Sequence, residues 1–377
     1  MQPEYLVLYV TDACNLACLH CFYYEDLNKA RSIKPANLEK LANSIDKVVN
    51  VTFTGGEPFV MNDLPDTVRL FHERSGMEVA TIPTNGILID KVLQGVEAMC
   101  RDNPELILNI SISLDGLEET HDYIRARKGG YRKSLMTLTE LCALKKQFSN
   151  LNVGVITTIN EANEDEIIPL FKQINGELDI NQFLVNFIRG DVKELQSGES
   201  TLRKFVESQY FIHEKLLKGE TTGHDIFMKD LYSAVTMRTK KTVLDTLLTN
   251  SCQTQCYAGT TNAIIQPDGK VQACEIRTDV EMGDLNDFDW DLPRLIASHM
   301  AQAVRKDILP SDCFCSFECQ ASSNTSYNPK ELALSVIDML RMKIGLMNNH
   351  FEANVTPNID VVTGLRHKDV KGRLSVD

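Results

Sequence analysis

The chain has 377 residues, of which 43% are hydrophobic and 24% charged, and its formal net charge is −13. This composition is typical of a soluble globular protein with room for one large domain and a smaller one. The acidic balance, without any block of Lys or Arg, argues against a nucleic-acid partner held through its phosphates. No apolar run reaches membrane-spanning length and no export signal precedes the first strand, so we expect a cytoplasmic protein without a membrane span.

The first two hundred residues alternate β-rich runs with stretches of helical periodicity. The predicted strands are Leu6–Val10, Val51–Thr54, Glu78–Ile82, Leu106–Leu114, Val153–Ile159 and Gln182–Ile188. The helical stretches between them are Asn37–Val49, Pro65–Arg74, Lys91–Cys100, Lys133–Phe148 and Asp165–Ile174. Such alternation predicts an α/β fold with a parallel sheet covered by helices. Six units suit a partial, open (β/α)6 barrel similar to a TIM barrel, whose chemistry gathers at the carboxyl ends of the strands.

The remainder of the chain predicts a helical bridge and a small Cys-rich domain. Pro267-Asp268-Gly269 is a turn signal at the centre of a predicted hairpin, 263–273. The predicted helices of this part are Leu202–Lys218, Asp225–Thr249, Leu292–Ile308 and Glu331–Met347, followed by a polar tail beyond Asn348. We therefore predict a core at 1–195, a bridge at 196–250, a Cys-rich domain at 251–347 and a tail at 348–377.

The most informative motif is the CxxxCxxC spacing of Cys14, Cys18 and Cys21, directly behind the first strand. Three thiolates on one short loop can hold three corners of a cubane iron–sulfur cluster and leave the fourth iron open. Zinc, with His20 or a distant residue as its fourth ligand, is the alternative. Structural zinc usually shows a second CxxC knuckle, and none follows nearby, so the spacing favours a cluster.

A second motif, Gly55-Gly56-Glu57-Pro58, follows the second strand. Paired glycines let a backbone approach a ligand closely, and a carboxylate lies on the same turn. The two motifs together resemble the radical S-adenosylmethionine (radical SAM) family. The resemblance implies that the three cysteines hold a [4Fe–4S] cluster that binds SAM. It also implies that His20 packs beside the adenine, and that Gly55, Gly56 and Glu57 bind the amino group of SAM.

Later strand ends carry further matches to this family. The resemblance implies that Ser113, and after it Asp115, contact the ribose of SAM, and that Arg125 pairs with the SAM carboxylate. A helix-capping role for Asp115 and a surface salt bridge for Arg125 are the structural alternatives. Weaker candidates for polar contacts are Thr84, Asn85, Gly86, Thr158 and Asn160.

Six of the eleven cysteines lie late in the chain, at Cys252, Cys256, Cys274, Cys313, Cys315 and Cys319. The pattern C-x12-G-x4-C from Cys256 to Cys274 resembles the opening of the SPASM/twitch auxiliary-cluster domain. The second cysteine stretch is shorter than in a two-cluster SPASM domain, so one auxiliary [4Fe–4S] cluster is the simplest count, with zinc as the alternative. Which of the last three cysteines ligate it stays open. Cys100 and Cys142 lie alone in apolar surroundings, and we expect them to be buried core thiols.

The resemblance implies that SAM is cleaved reductively to a 5′-deoxyadenosyl radical, which abstracts hydrogen from a substrate. The auxiliary cluster would accept an electron or hold the substrate, and a flavodoxin or ferredoxin would supply electrons. Because the Cys loop begins at residue 14, we expect no leader-binding module before it. This shifts the expected substrate towards a small molecule, or a peptide or protein recognised without a leader. The alternatives are a partner-dependent electron-transfer component and a non-catalytic metal-binding scaffold.

Overall fold

The computed structural model of the chain describes residues 3–221, 229–249, 251–277, 279–308 and 316–347. Cys313, Cys315 and the predicted tail lie outside these residues. No helix within the described ranges is both long enough and apolar enough to cross a membrane.

Strands and helices alternate through the first half of the chain, as the sequence predicts. The strands are β1 (Tyr5–Thr11), β2 (Asn50–Gly55), β3 (Val79–Thr84), β4 (Ile107–Ser113), β5 (Leu151–Ile159) and β6 (Gln182–Phe187). The helices are α1 (Pro35–Ser44), α2 (Leu64–Ser75), α3 (Ile89–Asp102), α4 (Glu118–Ile124), α5 (Gly130–Leu144) and α6 (Ile167–Glu177). Each strand pairs in parallel with the next one along the chain. The result is the partial (β/α)6 barrel that the alternation predicts.

The two faces of these strands differ in chemistry. Side chains such as Phe53 and Ile110 are at most 1% exposed and belong to the hydrophobic core that includes the helices. Alternate positions carry polar, half-buried side chains that hydrogen-bond between neighbouring strands. Asn152 Nδ2 donates to Asn109 Oδ1 at 2.9 Å. Since successive side chains of a strand point to opposite faces, this polar set lines the inside of the open barrel.

The rest of the chain extends the barrel sheet. Two long helices, α7 (Glu199–Leu217) and α8 (Lys229–Thr249), precede β7 (Asn262–Ile265), β8 (Lys270–Gln272) and β9 (Glu281–Asp284). The predicted hairpin is present as β7 and β8, and β7 also pairs in parallel with β1. The nine strands form one sheet, in the order β6-β5-β4-β3-β2-β1-β7-β8-β9. The Cys-rich part of the chain is therefore built directly onto the first barrel strand.

The C-terminal helices differ most from the predicted elements. They are α9 (Leu292–Ile296), α10 (His299–Ile308), α11 (Glu318–Tyr327) and α12 (Pro329–Lys343). The single helix predicted over 292–308 is wrong, because Ser298 interrupts it and its Oγ accepts from Ala301 N at 3.2 Å, capping α10. The sequence analysis also missed α4, α11 and β9. Helix α11 buries polar residues such as Gln320 and Asn324, so it shows no apolar periodicity.

Candidate functional site

The first cysteine loop leaves the carboxyl end of β1, the end of a parallel barrel where chemistry gathers. Cys14, Cys18 and Cys21 are each partly exposed. Cys14 N donates to Asn28 Oδ1 at 2.9 Å, which fixes the start of the loop. Burial raises the pKa of Cys14 to about 12 and that of Cys21 to about 11, and both thiols feel the charge of Cys18. Metal binding at such thiols displaces their protons and compensates the cost of burial.

Two glycines, one ending β2 and one following it, are needed because their backbone lies very close to the backbone of the cysteine loop. Gly55 has a φ of +130°, and a Cβ there would lie 2.0 Å from Thr11 O. A Cβ on Gly56 would lie 2.1 Å from Ala13 O. The backbone of Gly56 donates to Thr11 O at 2.9 Å. The sequence analysis expected these glycines to admit a ligand, and the structure shows that they also join β2 to the loop that carries Cys14.

Glu57 connects three of the predicted motifs. Its side chain is buried, and Oε1 accepts from Thr84 Oγ1 at 2.7 Å while Oε2 accepts from Asn85 N at 2.8 Å. Oε1 also accepts from Phe59 N at 3.1 Å. Burial raises the pKa of this carboxyl, and the hydrogen bonds oppose that shift. Asn85 in turn donates to Asn15 Oδ1 at 2.8 Å, so the Thr84-Asn85 turn is tied to the cysteine loop as well.

Asp115 and Arg125 form a buried ion pair beside Cys18. Arg125 Nε and Nη2 each lie 2.6 Å from Asp115 Oδ2, and Arg125 Nη1 lies 3.8 Å from Cys18 Sγ. Asp115 Oδ1 accepts from Thr158 N at 2.8 Å. Burial is the largest influence on the pKa of Asp115 and raises it, but the Arg125 charge, the neighbouring His20 and His121 and the Thr158 hydrogen bond together make the net shift downward. Arg125 therefore does not form the surface salt bridge that was the alternative for it. It forms a buried ion pair with Asp115, and its positive charge lies next to Cys18.

Two histidines lie close to this pair. His20 Nε2 is 3.7 Å from Asp115 Oδ2, while its buried Nδ1 has no hydrogen-bond partner among the described residues. His121 Nδ1 accepts from Asp115 N at 3.1 Å. Burial lowers the pKa of both His20 and His121 to about 4, so both rings are neutral at pH 7. Sequence reasoning assigned His121 no role, because nothing in its local sequence shows that its ring accepts a hydrogen bond from the backbone of Asp115.

The remaining predicted SAM contacts divide into two kinds. Ser113 ends β4 and is partly exposed on the polar face of the sheet, where a ligand can reach it. Asn160 is fully buried, and its side chain holds its own loop by donating to Thr158 O at 3.0 Å and accepting from Ala162 N at 3.0 Å. Asn163, which the sequence analysis did not single out, donates to the same Thr158 O at 3.0 Å. Ser113 is therefore the better-placed candidate.

Three late cysteines line one small cleft in the C-terminal lobe. Cys252, Cys256 and Cys274 share this cleft with Thr242 and Thr246 of α8, and with Gln320, Ala321 and Asn324 of α11. Burial raises the pKa of Cys256 to about 11, and the neighbouring Cys274 and Cys252 add to the shift. Cys319 does not line the cleft. Cys100 and Cys142, expected as core thiols, are 1% and 5% exposed, which confirms that expectation.

The residues of both cysteine sets fit an iron–sulfur cluster by their chemistry. In each set the pKa of one thiol is raised by the other two, so the three thiols lie near one another. The Arg125 cation next to Cys18 suits a bound group with negative charge. In the described ranges, no three Cys, His, Asp or Glu side chains already converge into a metal-binding group. The ligand assignments are therefore proposals.

Comparison with known proteins places this site in a family. Residues 8–174 match the Radical SAM superfamily. The chain is 30% identical over 182 residues to the sporulation killing factor maturation protein SkfB of Bacillus subtilis (strain 168), covering 45% of this chain and 39% of that protein. It is 27% identical over 179 residues to the GTP 3′,8-cyclase of Chlorobaculum tepidum, covering 47% and 51%. The chain thus spans about two fifths to one half of these curated relatives.

Two solved structures share the fold at low sequence identity. The structure of anSMEcpe with bound AdoMet superposes with a TM-score of 0.57 and 15% identity, covering 92% of this chain and 98% of that chain. Streptococcus suis SuiB gives a TM-score of 0.58 with 17% identity, covering 81% and 68%. These likenesses extend the shared fold beyond the barrel into the C-terminal lobe. The superfamily match confirms the radical SAM resemblance for residues 8–174, which contain the first cysteine loop and the Gly-Gly-Glu turn, and the two structures show that the fold is shared over most of the chain.

Proposed function

We propose that the chain is a radical SAM enzyme that binds a [4Fe–4S] cluster through Cys14, Cys18 and Cys21. The observation that supports this most is the connection of the Gly55-Gly56-Glu57 turn to the cysteine loop by backbone hydrogen bonds. A scaffold that only binds metal has no need of such a turn beside an open iron. The superfamily match contains the whole arrangement.

When bound together, the cluster and SAM supply a 5′-deoxyadenosyl radical that abstracts hydrogen from a substrate. The protein's part is to bind, orient and exclude solvent. Arg125 places a positive charge 3.8 Å from Cys18 Sγ, and Asp115 holds that guanidinium through two of its nitrogens. Polar side chains line the interior of the barrel and could form hydrogen bonds with SAM and substrate.

The individual SAM contacts follow from which donors and acceptors remain unused. An ionised carboxylate has about four acceptor sites, so Glu57, which already accepts three hydrogen bonds, has about one left for the SAM amino group. Gly55 and Gly56 contribute backbone groups beside it, and Ser113 contributes its hydroxyl. Arg125 would reach the SAM carboxylate through Nη1 or the second N–H of Nη2, because Nε and one N–H of Nη2 face Asp115 Oδ2. Neutral His20 packs beside the adenine.

We further propose one auxiliary [4Fe–4S] cluster in the C-terminal lobe, held by Cys252, Cys256 and Cys274. Its fourth ligand would be one of Cys313, Cys315 and Cys319. The shared cleft supports this assignment. Similarity to a maturation protein and to a fold neighbour with a bound Cp18Cys peptide supports oxidation or maturation of a peptide or small molecule in the cytoplasm. A flavodoxin or ferredoxin would act as reductant.

The experiment is anaerobic reconstitution of the wild type and two triple Cys→Ala variants, one for each cysteine set. We expect about eight irons in the wild type and about four in each variant. With dithionite and SAM, the variant of Cys14, Cys18 and Cys21 should form no 5′-deoxyadenosine, whereas the wild type should. A Cys100→Ala/Cys142→Ala double variant is the matched control, and its iron content should equal that of the wild type.

The outcomes separate the alternatives. Zinc in place of iron would contradict the proposed cluster. A fully loaded wild type that forms no 5′-deoxyadenosine with dithionite, but does so with a protein reductant, would favour the partner-dependent component. Loss of all iron from the variant of Cys252, Cys256 and Cys274 would show that the late cysteines hold no separate cluster.

A further inference from the structure

Helix α12 packs against the rest of the chain with its polar side inward. Ser335 and Asp338 are its buried residues, at 0% and 1% exposed. Arg238 of α8 binds two carboxylates of α12, with Nη2 2.9 Å from Glu331 Oε2 and Nη1 2.8 Å from Asp338 Oδ2. A surface helix of a globular protein usually buries its apolar stripe instead. The contact of α12 with α8 therefore holds ion pairs where apolar side chains are expected.

The large apolar side chains of α12 point outward. Of the ten large apolar side chains exposed among the described residues, six lie in α12 or in the three residues after it. They are Leu332, Val336, Ile337, Leu340, Ile344 and Leu346, between 37% and 68% exposed. At about 100° per residue, the first five lie within an arc of about 140°, on the opposite side of the helix from Ser335 and Asp338. We call these five residues the α12 face. An apolar patch concentrated in this way marks an interaction site.

The charges that α12 exposes are all basic. Lys330, Arg341 and Lys343 are exposed, whereas both acidic residues of the helix are held in the ion pairs with α8. On the helical wheel Lys330 and Arg341 border the α12 face on one side. Arg341 lies 3.4 Å from Asp338 and stays 57% exposed. Lys343 lies 3.6 Å from Asp230 and stays 56% exposed. All three cations are therefore accessible to an anion from outside, although the chain has a net charge of −13.

This charge pattern discriminates between the surfaces that would cover the α12 face. A second copy of the chain would bring the same basic residues against the first set, and like charges in an interface are costly. An anionic lipid surface instead offers hydrocarbon to the apolar side chains and negative head groups to the cations. Lys and Arg side chains that border apolar residues extend along them to reach such head groups. The lipid surface is the occupant that satisfies both features of the helix.

We propose that α12 is an interfacial helix that docks this protein on the surface of an anionic lipid bilayer. The α12 face lies among the head groups, Lys330, Arg341 and Lys343 contact lipid phosphates, and the barrel stays in water. This mode needs no membrane-spanning helix. It goes beyond the proposed function and depends on neither cluster, because it uses only the outer side of α12.

The test measures sedimentation of the full reconstituted chain with lipid vesicles. Vesicles of phosphatidylcholine and phosphatidylglycerol in equal amounts present an anionic surface, and pure phosphatidylcholine is the neutral comparison. We expect the wild type to bind the anionic vesicles at least about tenfold more tightly, because each cation near such a surface contributes about fivefold in affinity. Raising the salt concentration should reduce this difference.

Substitutions then locate the contact. Leu340→Glu should weaken binding to the anionic vesicles at least about tenfold, because it removes a leucine from the centre of the α12 face and adds a negative charge. Met136→Glu on α5 is the matched control, since Met136 is 54% exposed and Leu340 is 53% exposed, and it should leave binding unchanged. The double variant Lys330→Gln/Arg341→Gln should bind anionic vesicles about twentyfold more weakly and neutral vesicles as the wild type does. Because these positions are exposed, circular dichroism and iron content should match the wild type.

Three results would overturn the proposal. The first is a wild type that binds neither kind of vesicle. The second is equal binding by Leu340→Glu and Met136→Glu, which would place the lipid contact elsewhere. The third is a lipid-free dimer in analytical ultracentrifugation that Leu340→Glu converts to a monomer, which would identify the α12 face as a contact between two copies. None of these measurements uses SAM cleavage, so failure of the proposed function would be distinguishable from failure of lipid docking.

Discussion

Replacing Asp115 with Asn removes one charge from a fully buried ion pair while keeping the side-chain shape. Asp115 is 0% exposed and the Arg125 side chain is 12% exposed, so solvent does little to screen the guanidinium that remains. The Asn oxygen can still accept from Thr158 N. Removing one partner of a buried pair costs about 3–5 kcal/mol, because it leaves the other charge uncompensated. We expect Asp115→Asn to lower the free energy of unfolding by about that amount.

The matched control is Asp66→Asn. Asp66 makes an ion pair of similar length with Arg69, 2.7 Å, but the two side chains are 69% and 46% exposed. An exposed pair contributes about 0–1 kcal/mol. Urea unfolding followed by circular dichroism at pH 7 measures both variants under the same conditions. Losses for the two variants that agree within about 1 kcal/mol would refute the reasoning, since burial is the difference between the sites.

Three further predictions address the same region. Gly56→Ala should lower the unfolding free energy by about 2 kcal/mol or more and reduce iron loading, because its Cβ meets Ala13 O at 2.1 Å. Gly176→Ala, where a Cβ meets nothing within 4 Å, should be neutral or stabilising, and equal effects of the two changes would contradict this. The folded pKa of His121, about 4, lies below its unfolded value of 6.5, so the unfolded chain binds a proton first as the pH falls. Between pH 7 and pH 4 the free energy of unfolding of the wild type should fall by about 3 kcal/mol more than that of His121→Gln, as measured by urea unfolding at each pH. Equal falls for the two proteins would exclude a buried neutral ring at His121. Lys240→Met should lower the free energy of unfolding by about 1–3 kcal/mol, because it removes one of the donors to the buried Val185 O between α8 and β6. Gln209 also donates to Val185 O. An unchanged urea midpoint would show that Gln209 alone satisfies this carbonyl and would contradict the prediction.

The sequence by itself determined the barrel and the first cysteine loop. The strand alternation predicted β1 to β6 to within a few residues, because buried parallel strands have a local apolar signal. The spacing of Cys14, Cys18 and Cys21 restricts them to one loop whatever the rest of the chain does. The Gly-Gly-Glu turn was likewise recognisable, since glycine and a neighbouring carboxylate are readable in a short segment.

Only the tertiary structure decided which distant groups meet. Arg125 pairs with Asp115 and approaches Cys18 because α4 follows β4 across the barrel end, and nothing within either segment specifies that contact. The pairing of β7 with β1 joins residues more than 250 positions apart. Cys252, Cys256 and Cys274 share a cleft with residues of α8 and α11, although nothing in the spacing of these cysteines specifies those neighbours. Spacing along the chain limits which residues can be neighbours, whereas packing of helices and strands selects which of them are.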